Sequence, residues 1–421
     1  MSDRAAPVGE HHSRREQAGD QHLPVITGLG AISSVGVGVD ALWDAIDHGR
    51  SGAREVRSFD TSAMRNHVGC EVDDQDLERA VDQLGGAPAS GGSWHDLPRA
   101  SRLACAAAGE AMRAAGLEAA DLDAFCLGTT TGNLLEIEDD LVVADPSRGD
   151  RVASVIHDNF AQAVARALGV TAPATTVATS CSAGNIALSQ AADLVRQGQA
   201  ERVVAGGADA FSRFAFVGFA RMRAMATERC SPFSEGRQGM MLGEGSAFLV
   251  LESAGSAAAR GVEPLAVVRG YGLSCDAHHI ATPQPAGRGA AAAMTRALAD
   301  ADLPPEAVGY VCAHGTGTMA NDIAESKACR AVFGEHRPYV SSLKALLGHS
   351  LGAASALEAV ASILSLRHQR YIPAWHLTTR DERCDVDLPT AETVVDRPFR
   401  AVLNNALAFG GNNSCVALTR A

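Results

Sequence analysis

One cysteine and two histidines, each at the mouth of a turn built from small residues, carry the chemistry of this chain. Cys181 lies in Val177-Ala178-Thr179-Ser180-Cys181-Ser182-Ala183-Gly184-Asn185, where a β-branched run gives way to small residues and then to a helical pattern. A strand-to-helix turn of that kind sets backbone N–H groups and the positive end of a helix dipole beside the sulfur, and both favour the thiolate. His314 sits in Ala313-His314-Gly315-Thr316-Gly317-Thr318, and His349 in Leu346-Leu347-Gly348-His349-Ser350. Taken singly, a cysteine after serine reads as a core thiol and each histidine as a structural group. Taken together, a nucleophilic thiol and two imidazoles suit thioester chemistry.

Strands must end where those turns begin, and the chain supplies them twice. Residues 123–132 match 309–318, each a strand followed by a Gly/Thr turn. The strand, turn and helix around Cys181 are answered by 340–360, the run 202–208 by 401–406, and 246–252 by 413–418. Each half opens on a strand-like run, 25–30 in one and 265–271 in the other. The order survives a shift of roughly 170–200 residues, too long a period for a solenoid. Two related α/β halves follow, 23–258 and 263–421, behind a polar tail at 1–22 that is expected to be disordered. Helical stretches such as 290–298 alternate with the strands, so the sheets should be mixed and buried. Residues 133–160 break the pattern; their acidic cluster, Glu136, Glu138, Asp139 and Asp140, suits a cap or a dimer-facing segment.

Composition narrows the class. The 421 residues are 46% hydrophobic and 20% charged, as in a globular enzyme with a sizeable core. A formal net charge of −13 argues against nucleic acid as a partner. No apolar run reaches the roughly 18 residues that cross a bilayer. With residues 1–22 lacking the apolar core of a signal peptide, a cytoplasmic protein without membrane contact is expected. The ten cysteines are scattered and never form C-x-x-C pairs, so neither a disulfide framework nor a metal site is indicated. His278-His279 lacks companions at ligand spacing and reads as a solvent or interface pair. Gly128-Thr129-Thr130-Thr131-Gly132 has no Walker lysine and reads as a tight turn near a dimer interface.

Over nearly the whole chain after residue 22, the ordered set of Cys181, His314-Gly315-Thr316-Gly317-Thr318, Lys344 with His349, and Phe409-Gly410-Gly411 resembles an elongating β-ketoacyl-acyl-carrier-protein synthase of the thiolase-fold superfamily. The resemblance implies a duplicated thiolase-like α/β fold, two related halves in a layered α-β-α-β-α core. It implies that Cys181 takes an acyl group from a carrier protein. A malonyl thioester then loses carbon dioxide beside His314 and His349, and the resulting carbanion attacks the acylated sulfur. The backbone N–H groups of Cys181 and Phe409 would form the oxyanion hole, and Phe409, Gly410 and Gly411 a mobile gate. Thr316 and Thr318 would bind the pantetheine arm. An ion pair between Lys344 and Glu325 would hold the two histidine loops in register, an ordinary salt bridge being the lesser alternative. No resident cofactor is implied, since the phosphopantetheine arm comes with the acyl carrier protein. The implied assembly is a homodimer, or a heterodimer with a chain-length factor.

Residue chemistry separates the close relatives. A degradative thiolase would carry a second cysteine in the C-terminal glycine loop, an initiating synthase an asparagine in place of His349, and a chain-length factor no Cys181. At the gate, Asn405-Ala406-Leu407-Ala408-Phe409-Gly410-Gly411-Asn412-Asn413 departs from the family's Asn-Ser-Phe-Gly-Phe-Gly-Gly-Thr-Asn, and Arg237-Gln238-Gly239-Met240-Met241 stands where an Asp-Gly-Phe sequence is common. These departures favour a type II polyketide ketosynthase, with a reduced or polyene chain as candidate product. A housekeeping fatty-acid enzyme is the alternative, and a non-condensing partner subunit the second. Arg213, Arg221 and Arg223 are candidates for the basic patch that an acidic carrier protein needs on an acidic enzyme.

Overall fold

The computed structural model describes residues 20–138, 157–392 and 398–421. Ten strands form one hydrogen-bonded path: β1 (Pro24–Ser33), β2 (Ala124–Gly128), β3 (Ala174–Val177), β4 (Arg202–Asp209), β5 (Gly245–Ser253), β6 (Ala266–Cys275), β7 (Val308–Cys312), β8 (Tyr339–Ser341), β9 (Ala401–Leu407) and β10 (Asn412–Thr419). Their spatial order is 8-7-9-10-6-1-5-4-2-3. Read outward from the centre, β1-β5-β4-β2-β3 and β6-β10-β9-β7-β8 repeat the same sequence of two antiparallel and then two parallel pairings. The halves meet where β1 pairs with β6 through Val25↔Val267 and Ile26↔Ala266.

Helices fill the spaces between and outside the two half-sheets. The main ones are α1 (Arg99–Ala115), α2 (His157–Ala167), α3 (Ala183–Arg196), α4 (Arg213–Arg221), α5 (Arg288–Ala301), α6 (Met319–Phe333) and α7 (Ala354–His368). α1 and α2 lie on the strands of the first half, and α5, backed by α6, on those of the second. α3 and α7 pack on each other and on strands of both halves, forming the middle layer. Every residue of α7 from Ala354 to Leu366 is buried, as a helix between two sheets requires. Three large apolar clusters follow this layering, one outside each half-sheet and one between them.

Glycine spacing explains how tightly the outer helices seat. A Cβ on Gly28 or Gly30 of β1 would lie 2.2 Å from the Ala111 oxygen or 2.0 Å from the Ala107 oxygen of α1. In β6, a Cβ on Gly270 or Gly272 would lie 2.4 Å from the Ala301 nitrogen or 2.1 Å from the Ala293 oxygen of α5. The Gly-x-Gly in each opening strand is therefore a seat for helix backbone, occurring at the same place in both halves.

Two sequence expectations fall largely outside the described residues. The polar tail expected through 22 lies outside the described residues up to 19, while Asp20–His22 forms a 3-10 turn. Of the 133–160 segment, Asp139 and Asp140 lie outside the described residues, but Glu138 turns inward. Its carboxylate accepts from Ser212 Oγ and from the Arg213 and Phe214 N–H groups, capping the start of α4.

Candidate active site

Every group of the site lies just beyond the C-terminal end of a strand, the edge where open α/β sheets place their ligands. Cys181 follows β3, on a one-turn 3-10 helix Ser180–Ser182 that runs directly into α3. Ser180 takes φ +54°, a left-handed conformation that non-glycine residues adopt at a cost and that tightly specified turns retain. His314 follows β7, Lys344 and His349 follow β8, and Phe409 follows β9. The folding brings Cys181, His314 and His349 together. The Cys181 Sγ lies 3.0 Å from His349 Nε2, the two imidazoles meet edge to face at 5.2 Å between centroids, and all three side chains are buried.

The two histidines are held differently. The His314 backbone is fixed by Glu325 of α6, whose carboxylate accepts from the His314 N–H at 2.8 Å and the Gly315 N–H at 2.9 Å. On the ring, Lys344 Nζ lies 3.4 Å from Nδ1. An ammonium can only donate, so Nδ1 must accept, and the ring proton stays on Nε2 facing the cavity. The His349 backbone donates to Met241 O at 2.7 Å and accepts from the Gly243 N–H at 3.0 Å. Its Nδ1 has no hydrogen-bond partner among the described residues, so neither tautomer is imposed. Burial and the Lys344 ammonium hold both imidazoles well below the usual histidine range, and for His314 the neighbouring His349 adds to this. Both rings are therefore neutral near pH 7.

The expected ion pair between Glu325 and Lys344 is replaced by another. Lys344 pairs with Glu358 of α7, both side chains being 2% exposed. Glu325 is already committed to two backbone N–H groups, and Asn405 adds a third donor at 3.3 Å. Burial pushes the Glu358 carboxyl up to about 7 against the pull of Lys344. Sequence spacing cannot register a partner fourteen residues away on another helix, but one signal was present: Glu358 interrupts an otherwise apolar helical stretch, where a carboxylate needs a buried partner.

The Cys181 thiol also departs from expectation. The N–H groups of Cys181 and Phe409 both point at the sulfur and favour its ionised form, as does Lys344. Burial is the larger effect and, aided by the charge of Asp209, pushes the thiol up to about 12. Unliganded Cys181 is thus a thiol 3.0 Å from His349 Nε2, beside the two N–H groups that an oxyanion would need. The same three donor atoms lie within 4.8 Å of one another, close enough for a metal. Lys344, however, keeps a proton on the His314 nitrogen that a cation would have to bind.

A cavity of about 450 Å³ leads from the surface to these residues. Its wall includes Thr316 and Thr318, whose hydroxyls hydrogen-bond each other at 2.9 Å, and Arg237, which holds the Thr318 loop through Asp322 and Asp381. Phe409 also lines it, 38% exposed and packed on Phe219 of α4 at 5.6 Å. Gly410 and Gly411 take φ +78° and +79°, the left-handed region that glycine enters freely. Ala408 is extended, at φ −119°, so the alanine there carries no strain in this conformation. Of the pair His278-His279, His279 also lines the cavity, and its Nδ1 accepts from the Ala281 and Thr282 N–H groups. Arg223 lines the mouth and Arg221 lies exposed beside it, whereas Arg213 is at the far end of α4.

Comparison with known proteins agrees with this geometry. Residues 24–257 match the family described as "Beta-ketoacyl synthase, N-terminal domain", and 265–378 its C-terminal domain. The chain is 33% identical to the 3-oxoacyl-[acyl-carrier-protein] synthase 2 of Staphylococcus aureus strain N315, over 94% of this chain and 98% of that protein. It is likewise 33% identical to that of a Synechocystis species, over 94% and 97%. Among solved structures, "The ishigamide ketosynthase/chain length factor" superposes with a TM-score of 0.88 at 38% identity, covering 95% of this chain and 99% of that one. A ketosynthase in complex with its chain length factor from Xenorhabdus doucetiae gives 0.75 at 29%, covering 95% and 98%. The architecture is the duplicated thiolase-like ketosynthase fold, and the chain belongs to the β-ketoacyl synthase family.

Proposed function

We propose that this protein condenses a Cys181-bound acyl group with malonyl-acyl-carrier protein in type II polyketide biosynthesis. The contact of Cys181 Sγ with His349 Nε2, in a cavity that Phe409 also lines, carries the reading. His349, whose tautomer is not imposed, takes the thiol proton as the sulfur attacks the carrier thioester. The tetrahedral oxyanion sits between the Cys181 and Phe409 N–H groups, and the leaving pantetheine thiolate recovers the proton. A malonyl thioester then enters, and its bond to the carboxylate breaks to release carbon dioxide. The electron pair becomes an enolate whose oxygen accepts from the His314 Nε2–H and, once the His349 proton has shifted from Nδ1 to Nε2, from His349 as well. Attack of that carbanion on the Cys181 thioester makes the carbon–carbon bond and expels the Cys181 thiolate. Thr316 and Thr318 line the path of the pantetheine arm, which the carrier protein brings, so the enzyme needs no resident cofactor. Arg221 and Arg223 would meet the acidic carrier at the mouth.

The polyketide assignment draws on the departures at the gate and on solved relatives named as a ketosynthase with its chain length factor and as a type II polyketide acyl-carrier protein with its ketosynthase. Fatty-acid elongation is the second reading, favoured by the 33% identity to 3-oxoacyl-[acyl-carrier-protein] synthase 2. The intact Cys181 disfavours a non-condensing partner subunit. Ten unpaired cysteines suit the reducing cytoplasm, and no described helix is long and apolar enough to cross a membrane. The test is intact-protein mass spectrometry after incubation with saturated, unsaturated and poly-β-keto acyl-carrier proteins. Addition at Cys181 from unsaturated or poly-β-keto chains supports the polyketide reading. Addition from saturated chains alone supports fatty-acid elongation, and no addition at Cys181 refutes the nucleophile.

A further inference from the structure

We propose that Asp209 is a positioning residue of this reaction, tying the turn behind His349 to the loop after β2 and holding Cys181 as a thiol. The proposal rests on Cys181 as nucleophile and His349 as its partner. Asp209 ends β4 with its side chain fully buried, and among the described residues no basic side chain pairs with it. Its carboxylate instead accepts from five donors: Thr129 Oγ1, Thr131 Oγ1 and the Thr131 N–H at 2.8 Å each, the Thr130 N–H at 2.8 Å, and the Gly352 N–H at 2.7 Å. Burial pushes the Asp209 carboxyl up, and the bonds from Thr129, Thr130 and Thr131 work against it by favouring the charged form.

The donors come from two loops in different halves of the duplication. Thr129, Thr130 and Thr131 follow β2, while Gly352 belongs to the one-turn helix Leu351–Ala353 immediately after His349 and Ser350. Contact there is close: a Cβ on Gly352 would lie 2.6 Å from the Thr129 carbonyl carbon, and Leu351 is held at φ +51°. Loss of the Gly352 bond would release a strained turn next to His349. The Leu351–Ala353 turn that Asp209 holds packs on the Ser180–Ser182 turn, so its charge also acts on Cys181, whose other charged or titratable neighbours are Lys344, His314 and His349. Lys344 favours the thiolate and Asp209 opposes it. The hydrogen-bonded thiol at 3.0 Å from His349 follows from that balance together with burial.

Asp209→Asn keeps the shape and removes the charge. Alkylation of Cys181 by iodoacetamide at pH 8, read on the Cys181 peptide, should accelerate about tenfold, the effect of one unit in thiol acidity. Decarboxylation of malonyl-pantetheine should slow at least about tenfold as the His349 turn loosens. A lesion of packing alone would not move the two rates in opposite directions. Asp209→Glu restores the charge at altered reach, so its alkylation should return to the wild-type rate while decarboxylation stays low. Two rates that fall together or stay unchanged in the Asn variant, or a Glu variant alkylated as fast as the Asn variant, would overturn the proposal. Wild-type protein that is not acylated at Cys181 by any carrier thioester would overturn the nucleophile reading and this proposal with it.

Discussion

At the scale of single residues, Lys344 does two things at once, and they can be separated. Its ammonium fixes the His314 tautomer through Nδ1 and neutralises Glu358 in a fully buried pair. Removing one partner of such a pair leaves an uncompensated charge, so Lys344→Ala should cost about 3–5 kcal/mol of stability by denaturant titration. Malonyl decarboxylation by the folded fraction should fall further than Cys181 acylation, because only decarboxylation draws on His314; equal losses would mean that the lysine is structural alone. His314→Ala and His349→Ala should each slow decarboxylation by about a hundredfold or more, the scale of one oxyanion donor. pH gives an independent check. Since burial and Lys344 depress both imidazoles well below 6.5, the neutral, active form persists to acid pH, and the decarboxylation rate should stay level from pH 8 down past 6.5 before it drops. An acid limb centred at or above 6.5 that persists in Glu358→Gln, which removes the carboxyl that titrates near 7, would show that the rings are not shielded as described. Cys181, His314 and His349 were legible because their turns are marked by Gly, Ser and Thr in the sequence. Asp209 was not, and Glu358 was marked only as a carboxylate in need of a partner, because nothing in local spacing tells which buried carboxylate meets which donor across the duplication.

Secondary-structure elements carried more of their own signal. Strand runs, Gly/Thr turns and their order disclosed an α/β duplication, because alternation and turn chemistry are written locally. The fusion of the half-sheets through two residue pairs of β1 and β6 was not visible, since pairing between distant strands depends on tertiary packing rather than on either strand's pattern. The Gly-x-Gly seats in β1 and β6 make the duplication testable as mechanics. Gly30→Ala and Gly272→Ala each push a methyl group to within 2.0 or 2.1 Å of a helix carbonyl oxygen, so each should destabilise by about 1–3 kcal/mol or more, through displacement of α1 or α5. The control is Gly218→Ala on α4, where nothing lies within 4 Å and helix propensity should add about 0.5–1 kcal/mol. Thermal melting of the three variants decides it: if Gly30→Ala and Gly272→Ala melt like the wild type, the outer helices have room to move and the glycines are not seats.

For the whole molecule, the two ends of the sheet are unequal. The outer edge of β8 is partly covered by residue 387, with the Val340 N–H donating to Asp387 O at 2.8 Å and Tyr339 bridged to Asp387. The other end is β3, a four-residue strand in which Ala174, Thr176 and Val177 are half-buried and Thr175 is exposed. Pro173 O and Val177 O accept from Phe125 and Thr129, so residues 173, 175 and 177 turn toward β2, while Ala174 and Thr176 present their N–H groups outward. The Ala174 carbonyl there accepts from Gln162 Nε2 at 3.0 Å, but no described strand pairs with this edge, which leaves a template for another strand. We expect β3 to pair across a two-fold axis with its counterpart in a second copy, or in a chain-length factor of the same fold, extending the sheet through the assembly. Ala174→Pro removes an outward N–H without touching the inward ladder, and proline tolerates an edge position. Light scattering should then show a dimer for the wild type and a folded monomer for the variant, with a heterodimer forming in place of the homodimer if the true partner is co-expressed. A wild-type monomer that condenses at working concentration, or an Ala174→Pro variant that still dimerises, would place the interface elsewhere on the surface.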